Sequence, residues 1–230
     1  MTARRNRSDA GQETRTLLID VAERLFAERG FEAVTVADIR TAAGQRNASV
    51  VNYYFGSKEN LLRAILEHRL PTVNASRDAM MRERLGEGGD VNARDALWCL
   101  VQPLADTLHD DNHYVALLDR LVETDLLGNA FHAADPAGSA SAFAIDDVLY
   151  DAIGHVPDSV RRQRIMMVYD SMLRTLARYD RAGTTPGRTE LSGLIDAWEG
   201  LLAAPIREGD TTNARTASSP TGAGDGLGRA

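Results

Sequence analysis

The residues best suited to recognition chemistry crowd into "AAGQRNASVVNYYFGSKENLL", positions 42–62. The amide of Asn52 can pair with the N6/N7 edge of adenine, the guanidinium of Arg46 suits guanine or phosphate, and the Ser49 hydroxyl can bond to several base edges. Thr35 and Tyr53 bring hydroxyls suited to phosphate oxygens. Lys58, the only lysine among 26 basic residues, stands at a helix start where backbone N–H groups also favour a phosphate. Each residue has a plainer role beside this one: Tyr53 as a partly buried helix residue, Lys58 as a solvated charge. Upstream, Arg4, Arg5 and Arg7 form a basic arm suited to backbone or minor-groove contacts.

The elements that must position these groups follow from apolar spacing. Leu18, Val21, Ala22, Leu25 and Phe26 recur at helical steps between Glu13 and Arg29, and Gly30 supplies a stop. Thr35 and Asp38 form a box that caps a second helix bearing Val36, Ile39 and Ala43, and Gly44 ends it. Asn47 then caps a third helix, "ASVVNYYF". Its inner face would carry Ala48, Val51, Tyr54 and Phe55, and its outer face Ser49, Asn52 and Tyr53. Ser57 caps a fourth helix through Leu61, Leu62, Ile65 and Leu66, which Pro71 should kink or interrupt. Two short helices around a glycine turn, with a polar outer face on the second, match a helix-turn-helix that lays its second helix in the major groove. A glycine-broken pair of short helices is also common in all-α proteins without that function.

Beyond the glycine-rich break at 85–92, helices are expected at about 93–108, 113–127, 140–153, 158–181 and 189–203, with no strand pattern. The expected fold is therefore all-α. Its parts are a flexible basic arm at 1–11, a DNA-binding domain at 12–56, a helical ligand-binding and dimerisation domain at 57–206, and a disordered tail at 207–230, where Gly, Ser, Thr and Ala leave little to bury. Charge agrees with a polyanion held at one end: residues 1–70 carry 11 Arg/Lys against 9 Asp/Glu, and the remainder 15 against 24. Either part is also an ordinary solvated surface. No run of about 18 apolar residues suggests a membrane span. The N-terminus lacks the apolar stretch of a secretory signal, and Cys99 is the only cysteine, so a cytoplasmic location is expected.

The run "AERLFAERGFEAVTVADIRTAAGQRNASVVNYYFGSKENLL" closely resembles the DNA-binding region of the TetR family of bacterial transcriptional regulators. The matching motifs are "GFEAVTVADIRTAAG", "VNYYF" and "GSKENLL". The resemblance implies a homodimer of all-α subunits that binds a palindromic operator, usually represses, and responds to a small-molecule effector. It also implies phosphate contacts for Thr35, Tyr53 and Lys58 and base-facing places for Ser49 and Asn52, with Arg46 and Asn47 in the turn before them. The turn "GQRNAS" is one residue longer than the common one. Asn52 stands where many members carry an aromatic, and Tyr54 where histidine is frequent.

In the C-terminal body, Ile165, Met166, Val168, Tyr169, Met172, Leu173 and Leu176 make an apolar face wider than one core contact requires, and Leu191, Leu194, Ile195, Trp198, Leu201 and Leu202 make another. Such a pair suits a twofold four-helix contact between subunits, or equally an internal position. Met80, Met81, Trp98, Cys99, Tyr114, Phe143 and Tyr150 are candidates for lining an effector pocket, with ordinary core packing as the alternative. "HDDNH" at 109–113 brings His109 and His113 together with two aspartates, as a metal site or as a polar inter-helix turn. There is no Glu-x-x-His, Walker loop or nucleophile elbow, so no enzyme or cofactor is expected. The competing reading is an architectural or partner-binding helical protein whose DNA affinity ignores small molecules.

Overall fold

The computed structural model describes residues 2–84, 92–109, 112–122, 124 and 136–206, and all regular structure among them is helical. In chain order the helices are α1 (Thr2–Arg29), α2 (Val36–Ala42), α3 (Val50–Phe55), α4 (Lys58–Arg84), α5 (Ala93–Ala105), α6 (Tyr114–Val122), α7 (Pro136–Ala152), α8 (Asp158–Ala182) and α9 (Arg188–Ala203). One hydrophobic cluster runs from Leu18 to Leu202, so the N-terminal helices share a core with the C-terminal body. The 207–230 tail lies outside the described residues, as does most of the glycine-rich break.

Residues 2–11 depart from the expected flexible arm by continuing α1 as helix. Only Gly11 breaks that stretch, and one glycine costs about 1 kcal/mol against alanine, which an already nucleated helix absorbs. The capping box of α2 forms as read. The Asp38 amide donates to Thr35 Oγ1 at 3.1 Å, and the Thr35 amide donates back to the Asp38 carboxylate at 2.9 Å.

Helix α3 begins at Val50, two residues later than expected. Asn47 is not its cap: the Asn47 Oδ1 accepts from the Ser49 amide at 3.0 Å, which closes a local side-chain turn, and Ser49 occupies the cap position without a side-chain bond. That turn leaves Ala48 exposed, and Val50 takes its place on the inner face with Val51 and Phe55.

Helix α4 continues through Pro71 without the interruption that was one of the two expected outcomes. Proline removes a bond to the carbonyl four residues earlier, that of Glu67. Glu67 and Pro71 both lie on the exposed side, where water serves that carbonyl, while Leu70 and Val73 on the other side remain buried. Helices α8 and α9 match the expected pair almost residue for residue. Trp198 Nε1 donates to Ser171 Oγ at 3.0 Å between them.

The start of α6 joins the two halves. Glu23 of α1 is 1% exposed, and its carboxylate accepts from Arg69 of α4 at 2.7 and 3.1 Å and from the backbone amide of His113 at 2.9 Å. One turn on, the Ala116 amide donates to the Asp180 carboxylate of α8 at 2.8 Å. Burial raises the Asp180 carboxyl, against the lowering pull of that amide and of His113. Burial alone would depress Arg69, but the neighbouring carboxylates, Glu23 foremost with Asp20, together offset it and hold the guanidinium above its ordinary value.

Candidate nucleic-acid interface

Helix α3 is six residues long and is held by its underside. Val50, Val51 and Phe55 are buried, and the Arg15 guanidinium of α1 lies 5.3 Å from the Phe55 ring centre. Gly44 before the turn and Gly56 after the helix adopt φ of 63° and 77°, a left-handed conformation that other residues rarely adopt, so the chain can reverse sharply at both ends. The helix is thereby fixed between two reversals with one side free.

That free side carries the residues expected to recognise DNA. Arg46, Asn47, Ser49, Asn52 and Tyr53 are all exposed, and Tyr53 is 79% exposed. The two tyrosines divide as expected. Tyr53 stands in solvent, and Tyr54 is half-buried with its hydroxyl beside Gly11 of α1. Their rings meet edge to face at 5.0 Å, which orients the exposed ring without burying it. Asn52 has no side-chain bond within the protein among the described contacts, so its amide is presented to solvent.

Two residues expected to hold phosphate also make bonds within the protein. The Thr35 hydroxyl donates its proton to Asp38 at 2.6 Å, and these bonds from the Thr35 side chain and backbone hold the Asp38 carboxyl below its usual value. Thr35 is thus first a cap. Lys58 is turned inward: its Nζ donates to the carbonyls of Phe31 at 3.0 Å and Val34 at 3.2 Å, and sits 4.2 Å from the Phe31 ring centre. The partners lie 24 and 27 residues upstream and are backbone groups, which leave no side-chain signature to find.

The expected effector-pocket residues scatter between core and margin. Trp98, Cys99 and Tyr114 are buried in the shared core, and Met81 and Tyr150 pack half-buried against it. Burial pushes the Cys99 thiol up to about 11 and also raises the Tyr114 hydroxyl. Phe143 belongs to α7, and its side chain lies outside the described residues. His109 and His113 line a cavity of about 190 Å3 with Asn112, Asp180 and Arg181, and none of those aromatics lines it. Among the described residues no group of three or more His, Cys, Asp or Glu side chains is arranged to hold a metal; Asp110 and Asp111 lie outside them.

A short helix fixed from beneath, flanked by glycine reversals and preceded by a boxed helix, defines a helix-turn-helix protein. Residues 18–65 match the family model described as bacterial regulatory proteins, tetR family, so this region is TetR-like, as its motifs led one to expect. It is 50% identical over 52 residues to the HTH-type transcriptional repressor KstR2 of Rhodococcus jostii, which is 23% of this chain and 25% of that one. It is 39% identical over 64 residues to the HTH-type transcriptional regulator TtgR of Pseudomonas putida, 28% of this chain and 30% of that one. The match thus spans between a quarter and a third of these relatives' length. Over the whole fold, the fatty acid degradation regulator FadR from Bacillus halodurans superposes with a TM-score of 0.51 at 18% identity, covering 83% of this chain and 95% of that one.

Proposed function

We propose that this chain is a DNA-binding transcriptional regulator that recognises a palindromic operator as a homodimer, represses from it, and is released by a small-molecule effector. The observation that carries the reading is the free face of α3. Ser49, Asn52 and Tyr53 point to solvent from a helix whose other side is buried. Ser49 and Asn52 are the base readers, and Tyr53 with Arg46 and Asn47 holds the backbone beside them. The relatives that match residues in this region are named as transcriptional repressors and regulators, which supports the same role.

Dimerisation through α8 and α9 is supported by Met166 and Met167, 58% and 48% exposed on the side of α8 facing away from the subunit's core. Two rigidly joined readers gain effective concentration and match half-sites about 34–36 Å apart. Effector release then requires only differential binding to a subunit arrangement with another spacing, and about 1–3 kcal/mol of coupling changes operator affinity roughly 5- to 150-fold. The path is short, since the start of α6 is bonded both to α1 and to α8.

The test is selection of duplexes from a randomised pool, followed by titration at several salt concentrations with wild type and Asn52→Ala. Expected are a palindromic consensus, salt-dependent affinity, and loss of about 1–3 kcal/mol of discrimination at one base pair per half-site in the variant. Failure of the wild type to enrich any sequence would sink the reading.

A further inference from the structure

We infer that Lys58 is a positioning residue that locks the α1–α2 turn to the start of α4, and that it serves DNA recognition through the fold instead of through a phosphate. The inference rests on the DNA-reading proposal for its functional half and on geometry alone for its structural half.

Lys58 is the first residue of α4, and its ammonium bonds to the carbonyls of Phe31 and Val34 at 3.0 and 3.2 Å. Both belong to the turn between α1 and α2. Val34 directly precedes Thr35, the cap of α2, and the Phe31 ring lies 5.1 Å from that of Phe26 in α1. The same ammonium rests 4.2 Å from the centre of the Phe31 ring, a distance at which a cation is attracted to the ring face. One side chain therefore ties together α1, the cap of α2 and the start of α4, the three elements against which α3 is seated. Two of its three N–H groups are used in doing so.

Composition sharpens the point. The other 25 basic residues are arginines, and the one lysine falls here. A compact ammonium can aim separate N–H groups at two carbonyls while resting on a ring. A planar guanidinium, with its donors fixed in a fork, cannot reproduce that arrangement in the same space. The geometry thus accounts for lysine in particular, which a bare need for positive charge near DNA does not.

The two roles separate in salt dependence and in rescue by arginine. Full-length wild type, Lys58→Met, Lys58→Arg and Phe31→Leu are compared by thermal unfolding and by fluorescence anisotropy on a duplex selected by the wild type. A lock predicts that Lys58→Met unfolds about 5 °C lower and binds about tenfold more weakly, while the slope of log affinity against log salt keeps the wild-type value. It also predicts that Lys58→Arg restores neither property, and that Phe31→Leu, which changes no charge, weakens binding in the same direction. A phosphate contact predicts the opposite: a slope shallower by about 0.9 per site, an unchanged unfolding temperature and recovery with arginine. That set of results would overturn the inference. If Lys58→Met does not fold, Lys58→Arg and Phe31→Leu decide it, and wild-type behaviour in both rejects the lock. If the wild type selects no duplex, the DNA reading fails separately, and an unchanged unfolding temperature in the lysine variants still rejects the lock.

Discussion

Replacing Glu23 by glutamine should destabilise the whole protein, because the carboxylate is the shared anchor of α1, α4 and α6. Its oxygens accept three bonds, two from the Arg69 guanidinium and one from the His113 amide. Glutamine keeps one accepting oxygen and turns an NH2 group toward donors, so at least one bond becomes a donor facing a donor in a site that is 1% exposed. Removing one partner of a buried ion pair typically costs 3–5 kcal/mol. Here Arg69 is 19% exposed and keeps Asp20 at 3.2 Å, which places the cost near the lower limit, about 3 kcal/mol. For a chain of this size that lowers the unfolding temperature by about 6–12 °C. Calorimetry at pH 7 reads it directly, and a double-mutant cycle with Arg69→Met tests the mechanism. The double variant should recover part of the loss, since no buried charge is then left alone. A drop below about 2 °C in the single variant, or strict additivity in the cycle, would refute this account of the anchor.

Removal of the α2 cap by Thr35→Ala should lower the unfolding temperature by about 2–4 °C at neutral pH. It should also flatten the acid limb of the stability profile. Bonds from Thr35 hold the Asp38 carboxyl below its ordinary value in the folded state, so its contribution is present above that ordinary value and is lost as pH falls through the lower folded one; acid titration of the two proteins by circular dichroism shows the difference. Cys99, buried with its thiol pushed up to about 11, should resist a disulfide reagent at pH 8 in the native protein and react at once in denaturant. Charging the exposed sulfur face of α8 with Met166→Glu and Met167→Glu should halve the mass measured by sedimentation while leaving the helical content unchanged, because both side chains stand clear of the subunit's own core.

The parts of the fold that were legible from the chain are those whose information is local. Helix periods, the Thr35–Asp38 box and the division of Tyr53 from Tyr54 depend on residues within one or two turns of each other. The errors arise where a competing bond or a distant partner decides. Asn47 has the right chemistry for a helix cap, but its oxygen takes the Ser49 amide first, and the helix starts two residues late. Pro71 ordinarily interrupts a helix, but it falls on the exposed side, where the carbonyl it orphans meets water. Glu23 did leave a trace: it stands four residues after Ile19 and three before Phe26, on an otherwise buried face. A carboxylate there must find a cation, though nothing in the spacing says that the cation is 46 residues away.

Lys58 is the instructive case for the site itself. Residue type and position beside a reading helix made it a natural phosphate ligand, and a side chain of that length can reach outward or inward with little difference in local energy. What selects the inward state is a pair of carbonyls bent toward it by the α1–α2 turn, together with the Phe31 ring beneath. Those carbonyls meet Lys58 only once the α1–α2 turn has come against the start of α4, so the signal does not exist until the tertiary fold does. The same reasoning sharpens the outer face of α3. On the proposed reading, with the Lys58 ammonium turned inward and the Thr35 proton given to Asp38, the side chains left to meet DNA are the exposed Arg46, Asn47, Ser49, Asn52 and Tyr53. On that proposal one head makes few contacts and Ser49 with Asn52 would carry the selectivity, which is the situation in which a rigid second copy contributes most.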